Sequence, residues 1–339
     1  MKYLTIFILG SLLAIMSCAG CSNDDSTIDI TEGTDTTDTG DDDGTSGNST
    51  VVNVDESLFL TGDGSVTITT VPCTLSDGTA TDCFQIVATS SPADHEMGPW
   101  CPDNISDDAS TGGIWLENGQ VYDVDGAFIE NMATFYNDTN WQMYDANGDI
   151  YTTETEEDCG NAANPNVGEE YENFCVECLP SYVADLTQTY LIPITPVKQS
   201  VSTNFGGVGP AGGNGPSVRG IAFNGVRYDA PAPTDAILGA YTLAPFDDAG
   251  GHINLNAGYH YHSATGVSTQ LEQSDDHAAM IGYAIDGFGL YAQLDANGDE
   301  PTDLDDCRGH TDDTRGYHYH VDAPGSNNFL NCINGAYSD

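Results

Sequence analysis

The chain has 339 residues, 53 of them Asp or Glu and only 6 Lys or Arg, for a formal net charge of −47 at neutral pH. A surface this acidic is repelled by nucleic acid and by anionic lipid, which excludes nucleic-acid binding and any membrane association other than through an attached lipid. It suits cations as partners, or a saline setting in which dense carboxylates hold water; protein and glycan partners leave no mark on the composition.

Residues 1–17 have the form of a secretory leader. Lys2 is its one positive charge, and the apolar stretch from Tyr3 to Met16 is too short to span a bilayer comfortably. Ile15-Met16-Ser17-Cys18 resembles a bacterial lipoprotein processing site with Cys18 as the lipidated residue, and Cys21 is the alternative. Ser22-Asn23-Asp24-Asp25 behind it is similar to the acidic tag of surface-exported lipoproteins. Residues 18–50, rich in Thr, Asp, Gly and Ser, cannot bury a core and are expected to form a disordered acidic linker. The expected location is outside the cytoplasm, lipid-anchored to the outer membrane or cell surface of a bacterium. No later apolar run is long enough for a transmembrane helix.

Order is expected from about Val51, with residues 51–339 as one large domain and a split near Pro196 as the weaker alternative. Val66–Val71 and Phe84–Ala88 read as strands bounded by turn residues. Gly113–Leu116 and Gln120–Tyr122 read as a hairpin around Glu117-Asn118-Gly119, and Phe128–Tyr136 as a short helix. Tyr190–Ile194 reads as an edge strand, because Pro193 cannot donate to a ladder. Gly206–Gly215 is a glycine-rich loop without a phosphate-binding pattern. Two further hairpins follow, Gly220–Phe223 with Val226–Tyr228 around Asn224-Gly225, and Met280–Ile285 with Phe288–Tyr291 around Asp286-Gly287. Long amphipathic periods are scarce, so the fold class is mainly β with short helices, stapled by disulfides.

Export gives the cysteines their meaning. Eight of the ten lie beyond the linker, an even number that allows four disulfides in an oxidising compartment. Cys73 and Cys83 flank a turn-rich stretch and are expected to pair, as are Cys307 and Cys332. The connectivity of Cys101, Cys159, Cys175 and Cys178 stays open. Cys175-Val176-Glu177-Cys178 has the spacing of a zinc or redox site, but without a second such motif it reads as disulfide-forming.

The sequence Tyr-His-Tyr-His occurs twice, at residues 259–262 and 317–320, each time after a glycine. On a strand, alternate side chains face opposite sides, so each copy puts two imidazoles on one face and two phenols on the other. Two such pairs facing each other would give a closed four-imidazole metal site from His260, His262, His318 and His320. His252, His277 and His310 lie nearby in sequence and would add ligands or general acid–base groups, with Asp275, Asp276 and Asp286 orienting imidazoles from behind. Imidazole ligation suits copper or zinc. The plain alternative is a core in which the imidazoles bond carboxylates and carbonyls.

A second repeat, Asp145-Ala146-Asn147-Gly148-Asp149 and Asp295-Ala296-Asn297-Gly298-Asp299, spaces oxygen ligands like the first half of a calcium loop. Calcium would be held by Asp145, Asn147 and Asp149, or by Asp295, Asn297 and Asp299, with Glu156 and Asp306 at the twelfth position. An ordinary Asn-Gly turn explains the same residues. No hydrolase motif is present, and no catalytic residue can be named.

Several motifs in order resemble the YHYH-domain proteins: Asp94-His95-Glu96-Met97-Gly98-Pro99-Trp100, Gly220–Val226, Gly250-Gly251-His252, the first tetrapeptide, Ile281–Phe288, Leu304–His310, the second tetrapeptide and Cys332. The likeness covers His95 and most of residues 205–335. Gly289 stands where the family often has proline, and Arg308 where asparagine is common; neither change removes a histidine. The resemblance implies an exported fold unit and assigns no activity. The leading expectation is a lipid-anchored, extracytoplasmic protein binding a transition metal through paired His-x-His motifs. The alternatives are a metalloenzyme using the same histidines, as hydrolase or oxidoreductase, and a surface adhesion or glycan-binding module whose histidines are structural.

Overall fold

A computed structural model describes residues 50–163, 166–205 and 216–338. The expected leader and linker, with Cys18 and Cys21, and the loop 206–215 lie outside the described residues. In chain order, β1 (Val66–Thr74) and β2 (Ala80–Thr89) pair antiparallel across the turn at Asp77 and Gly78. β3 (Ile114–Glu117) and β4 (Gln120–Asp123) form the expected hairpin. Asn118 and Gly119 both adopt positive φ there, 51° and 76°, as a tight two-residue turn of Asn-Gly type requires. α1 (Gly126–Phe135) starts where the Asp125 carboxylate accepts from the Phe128 amide. α2 (Glu156–Ala162) is capped by Thr155, so Glu156 opens a helix and does not close an ion loop.

β5 (Thr187–Pro193) adds to the free edge of β2, which leaves Pro193 on an outer strand as its missing N–H demands. β6 (Lys198–Asn204) pairs antiparallel with β15 (Cys332–Gly335). Between them lie β7 (Gly220–Ala222), β8 (Arg227–Tyr228), α3 (Thr234–Gly239), β9 (Gly251–Asn254), β10 (Gly258–Tyr261), β11 (Met280–Ala284), β12 (Gly289–Tyr291), β13 (Gly309–Asp312) and β14 (Gly316–His320). Short α2 and α3 carry no helical period that a sequence could display.

Eight of these strands make one sheet, in the order β13-β14-β12-β11-β7-β8-β10-β9. The order has a centre, where β7 and β11 pair antiparallel with Ile221 opposite Tyr283. Each half repeats one plan. A hairpin (β7/β8 or β11/β12) lends its second strand to a parallel pairing with the Tyr-His-Tyr-His strand (β10 or β14), which pairs antiparallel with a Gly-His strand (β9 or β13). The sheet therefore has an approximate twofold axis between Ile221 and Tyr283. It relates Asn224 to Asp286, Asp247 to Asp305, His252 to His310 and His260 to His318.

The phenols of both tetrapeptides sit in the main core with Ile86, Phe223, Ile281 and Phe329. A smaller core gathers Trp115, Ile129, Met132, Leu243 and Phe246. Four disulfides join Cys73 to Cys83, Cys307 to Cys332, Cys101 to Cys175, and Cys159 to Cys178. The two neighbouring cysteines 175 and 178 thus bridge to different partners and form no metal or dithiol pair. Four disulfides fit an oxidising compartment. Among the described residues no helix is long and apolar enough to cross a membrane.

Candidate metal centres

The alternation of the tetrapeptides does what strand geometry predicts. Tyr259 and Tyr261 point to the core and His260 and His262 to the opposite face, and Tyr317, Tyr319, His318 and His320 repeat the arrangement. The phenols end in hydrogen bonds. Tyr259 donates to Asp247 at 2.7 Å, Tyr317 to Asp305 at 2.8 Å and Tyr319 to Asp286 at 2.7 Å, while Asn224 donates to Tyr261 at 2.8 Å. The paired strand must approach the Tyr259 and Tyr317 rings closely. A Cβ on Gly251 would lie 2.6 Å from the Tyr259 hydroxyl, and one on Gly309 would lie 1.9 Å from that of Tyr317. Only glycine fits ahead of His252 and His310.

The two tetrapeptides do not face each other. Four strands separate β10 from β14, so the single site of His260, His262, His318 and His320 does not form. Two clusters form in its place, His252 with His260 and His262, and His277 with His310, His318 and His320. Within each, one nitrogen per ring lies within 4.8 Å of all the others. Register explains the partners: His252 is directly opposite His260, and His310 directly opposite His318. His277 joins from the loop before β11.

The ring nitrogens carry the argument. Nδ1 of His260 contacts the Gly258 carbonyl at 2.9 Å, that of His262 the Ala230 carbonyl at 2.7 Å, that of His318 the Gly316 carbonyl at 3.0 Å and that of His320 the Ala292 carbonyl at 2.9 Å. His277 Nδ1 meets the Ala278 carbonyl at 3.0 Å and His310 Nδ1 the Asp303 carboxylate at 2.9 Å. Carbonyls and carboxylates only accept, so each of these six rings holds its proton on Nδ1 and presents a bare lone pair at Nε2. Those Nε2 atoms converge. His318 is 3.0 Å from His277 and 2.9 Å from His310, His320 is 3.2 Å from His310, and His262 is 3.2 Å from His252. Lone pairs so placed repel one another unless a cation lies among them. Tetrahedral zinc–imidazole bonds put neighbouring nitrogens about 3.3 Å apart, so the donor set fits.

Burial keeps the rings neutral. Desolvation, reinforced by the neighbouring imidazoles, drives His252 and His260 well below the ordinary histidine range and His262 to about 3. The same cause takes His318 to about 4 and His320 to about 3, and lowers His277. Neutral imidazole is the ligand form, so these rings need release no protons to take an ion near neutral pH.

Surroundings differ. The first cluster lies against Phe246, whose ring centroid is 5.0 Å from His252 and 5.3 Å from His262. The second packs on Tyr291, 4.8 Å from His318, and faces a cavity of about 460 Å³ whose wall includes Asp275, Asp276, Asp295, Asp299, Glu300 and Asp312. Asp303, which sequence reasoning overlooked, orients His310; the hydrogen bond lowers its carboxyl pKa. Pro245 occupies the equivalent place in the first half. Asp286 lies on the phenol face and orients Tyr319, while Asp275 pairs with Arg315. Arg308 adopts a positive φ of 66° and ties down the carbonyls of His320 and Val321.

The acidic repeats act as turns. Asp145 Oδ1 accepts from the amides of Asn147 and Asp149, and Asp295 Oδ1 from those of Asn297 and Asp299. Among the described residues, the groups of three or more His, Cys, Asp or Glu with converging ligand atoms are the two histidine clusters alone.

His95 also emerges from the fold. Its Nδ1 meets Asp94 at 2.8 Å and its Nε2 meets the Tyr259 hydroxyl at 3.2 Å, so it braces the phenol side of the first half. Asn334 does this in the second half, donating to Tyr317 and Asp305.

No curated protein and no solved structure matches the chain. A family profile described as YHYH protein matches residues 189–303, from β5 past the acidic loop at Asp299, and so takes in His252, His260, His262 and His277. The second tetrapeptide lies beyond the match but repeats its plan, and the chain carries a YHYH domain over the matched residues.

Proposed function

We propose that this is an extracytoplasmic protein that holds transition-metal ions, copper or zinc, at two histidine sites, one in each half of the central sheet. The observation that carries the reading is the convergence of Nε2 lone pairs whose Nδ1 protons are already committed to carbonyls or a carboxylate. Metal-bound histidine is held in this way, because the outer hydrogen bond fixes both tautomer and ring orientation. His252, His260 and His262 form one site and His277, His310, His318 and His320 the other. The apolar leader followed by Cys18, or Cys21, supports a lipid anchor, with residues 18–50 as its tether. A metalloenzyme is the second reading, supported by the cavity against which the four-histidine cluster lies.

The test is elemental mass spectrometry on the chain without its leader, made in an oxidising compartment and dialysed without chelator. Up to two ions of copper or zinc per chain are expected. His260→Ala should lose one, His318→Ala the other, and the double variant both. A wild-type chain that takes up neither metal, even after each is added back, refutes the reading.

A further inference from the structure

A cavity of about 930 Å³ lies apart from both clusters, and its wall includes Phe205, Arg219, Asp235, Asp322, Asn328 and Asn331. Its volume is in the range of small-molecule sites. Arg219 stands out. It is 3% exposed, and it is the arginine classed as buried among the described residues. Its guanidinium lies 3.8 Å from the centroid of the Phe205 ring, and Nη1 donates to the carbonyls of Pro216 and Ser217 at 2.6 and 3.1 Å. Nε has no partner.

Among the described residues the charge of Arg219 is also unmet. Arg227 pairs with Asp229, Arg308 with Glu300 and Asp322, and Arg315 with Asp275 and Asp312. Arg227 and Arg315 leave Nε free too, but each has its charge answered by a carboxylate. No ion pair among the described residues reaches Arg219. Asp229 favours its cation from a distance, yet the Asp229 oxygens are taken by Arg227 and the Ala230 amide. Residues 206–215 contain no acid that could supply the missing charge. In a chain with 53 acidic residues, a buried guanidinium without a carboxylate is a costly exception.

We propose that this cavity binds a hydroxylated carboxylate, the chemistry of an acidic sugar residue, with the ligand carboxylate seated on Arg219. A guanidinium edge matches a carboxylate with two parallel hydrogen bonds. The rest of the wall suits hydroxyls, which donate to the carboxylates of Asp235 and Asp322 and exchange hydrogen bonds with the amides of Asn328 and Asn331. A simple anion lacks those donors and meets two acids; a neutral sugar leaves the guanidinium unanswered.

The probe is glucuronate, with glucose and acetate as controls, titrated into the full mature chain and followed by ligand-observed NMR. Saturable glucuronate binding is expected, at least about tenfold tighter than either control, because a charge-assisted hydrogen bond is worth roughly 1.5–3 kcal/mol. Arg219→Met should remove that preference. Should that variant fail to fold, the Nε–H resonance of Arg219 in the wild-type chain gives the same answer by shifting on titration with glucuronate and not with glucose. The exposed Asp235→Ala gives a milder check, a several-fold loss for glucuronate and none for acetate. Equal affinity for glucuronate and glucose, no saturation at tens of millimolar, or an Arg219 resonance that does not move overturns the proposal.

Discussion

In the first half of the sheet three imidazoles converge beside the ring of Phe246; in the second, four converge beside Tyr291 and face a cavity rimmed with acids. The strands, the Gly-His partner and the Nδ1-to-carbonyl hydrogen bonds are shared. What differs comes from loops: His277 before β11, and Asp303 ahead of β13. The sheet therefore sets the ligand pairs and the loops set coordination number and access. Four imidazoles complete a tetrahedral set, whereas three leave a position. The acidic rim concentrates cations at the second site.

The sharpest way to break this comparison is His277→Ala, which reduces the second cluster to the three-imidazole plan of the first. Metal affinity at the second site should fall by at least about a hundredfold, beyond the 10- to 100-fold typical of losing an outer partner, with the first site unchanged. Competition against a coloured chelator reads both sites. An unchanged second site would mean that His277 is no ligand.

Asn224 and Asp286 occupy matching turns, and only the second titrates. Asp286 is fully buried, and desolvation pushes its carboxyl up to about 6. The folded chain thus holds this proton more tightly than the unfolded chain, so stability present at low pH is lost as pH rises through about 6. A shift of about 2 pH units corresponds to up to about 3 kcal/mol. The neutral histidines act the other way and equally in both proteins, so the reading is a difference. In urea unfolding of the metal-free protein, Asp286→Asn, which copies the first half, should gain stability relative to the wild type between pH 4 and pH 7. Equal slopes for the two proteins would refute the assignment.

Asp303→Asn removes the carboxylate that orients His310 and makes the second site resemble the first at Pro245. A loss of about tenfold in metal affinity is expected there, measured by the same competition. No change would show that the ring is held by packing alone.

Much of this was legible in residues. Tyr-His alternation predicts two faces, and two faces formed. Asn118-Gly119, Asn224-Gly225 and Asp286-Gly287 predict tight hairpins, and β3/β4, β7/β8 and β11/β12 close on them. Cys73–Cys83 and Cys307–Cys332 follow from the stretches they flank. What sequence hides is which strands become neighbours. A single facing site looked reasonable because nothing local says that β12, β11, β7 and β8 intervene between the tetrapeptides. The parallel pairings of β8 with β10 and β12 with β14 join residues far apart in the chain, and no turn motif announces them. Asp303 was hidden for the same reason, since it sits on a loop whose destination is set by the sheet; His277 was legible as a candidate ligand, and only the cluster it joins was not. Cys101–Cys175, a closure across 74 residues, has no local mark at all.

The antiparallel pairing of β7 with β11 about Ile221 and Tyr283 has the geometry of two identical subunits meeting edge to edge, made permanent by a single polypeptide. In a true homodimer every substitution is enforced twice, so both copies of a site must tolerate it. Fusion lifts that constraint. One copy can keep an asparagine where the other takes an aspartate, and one can recruit a fourth histidine while the other does not, without either change being imposed on its twin. The chain can thus explore two ligand environments on one inherited frame.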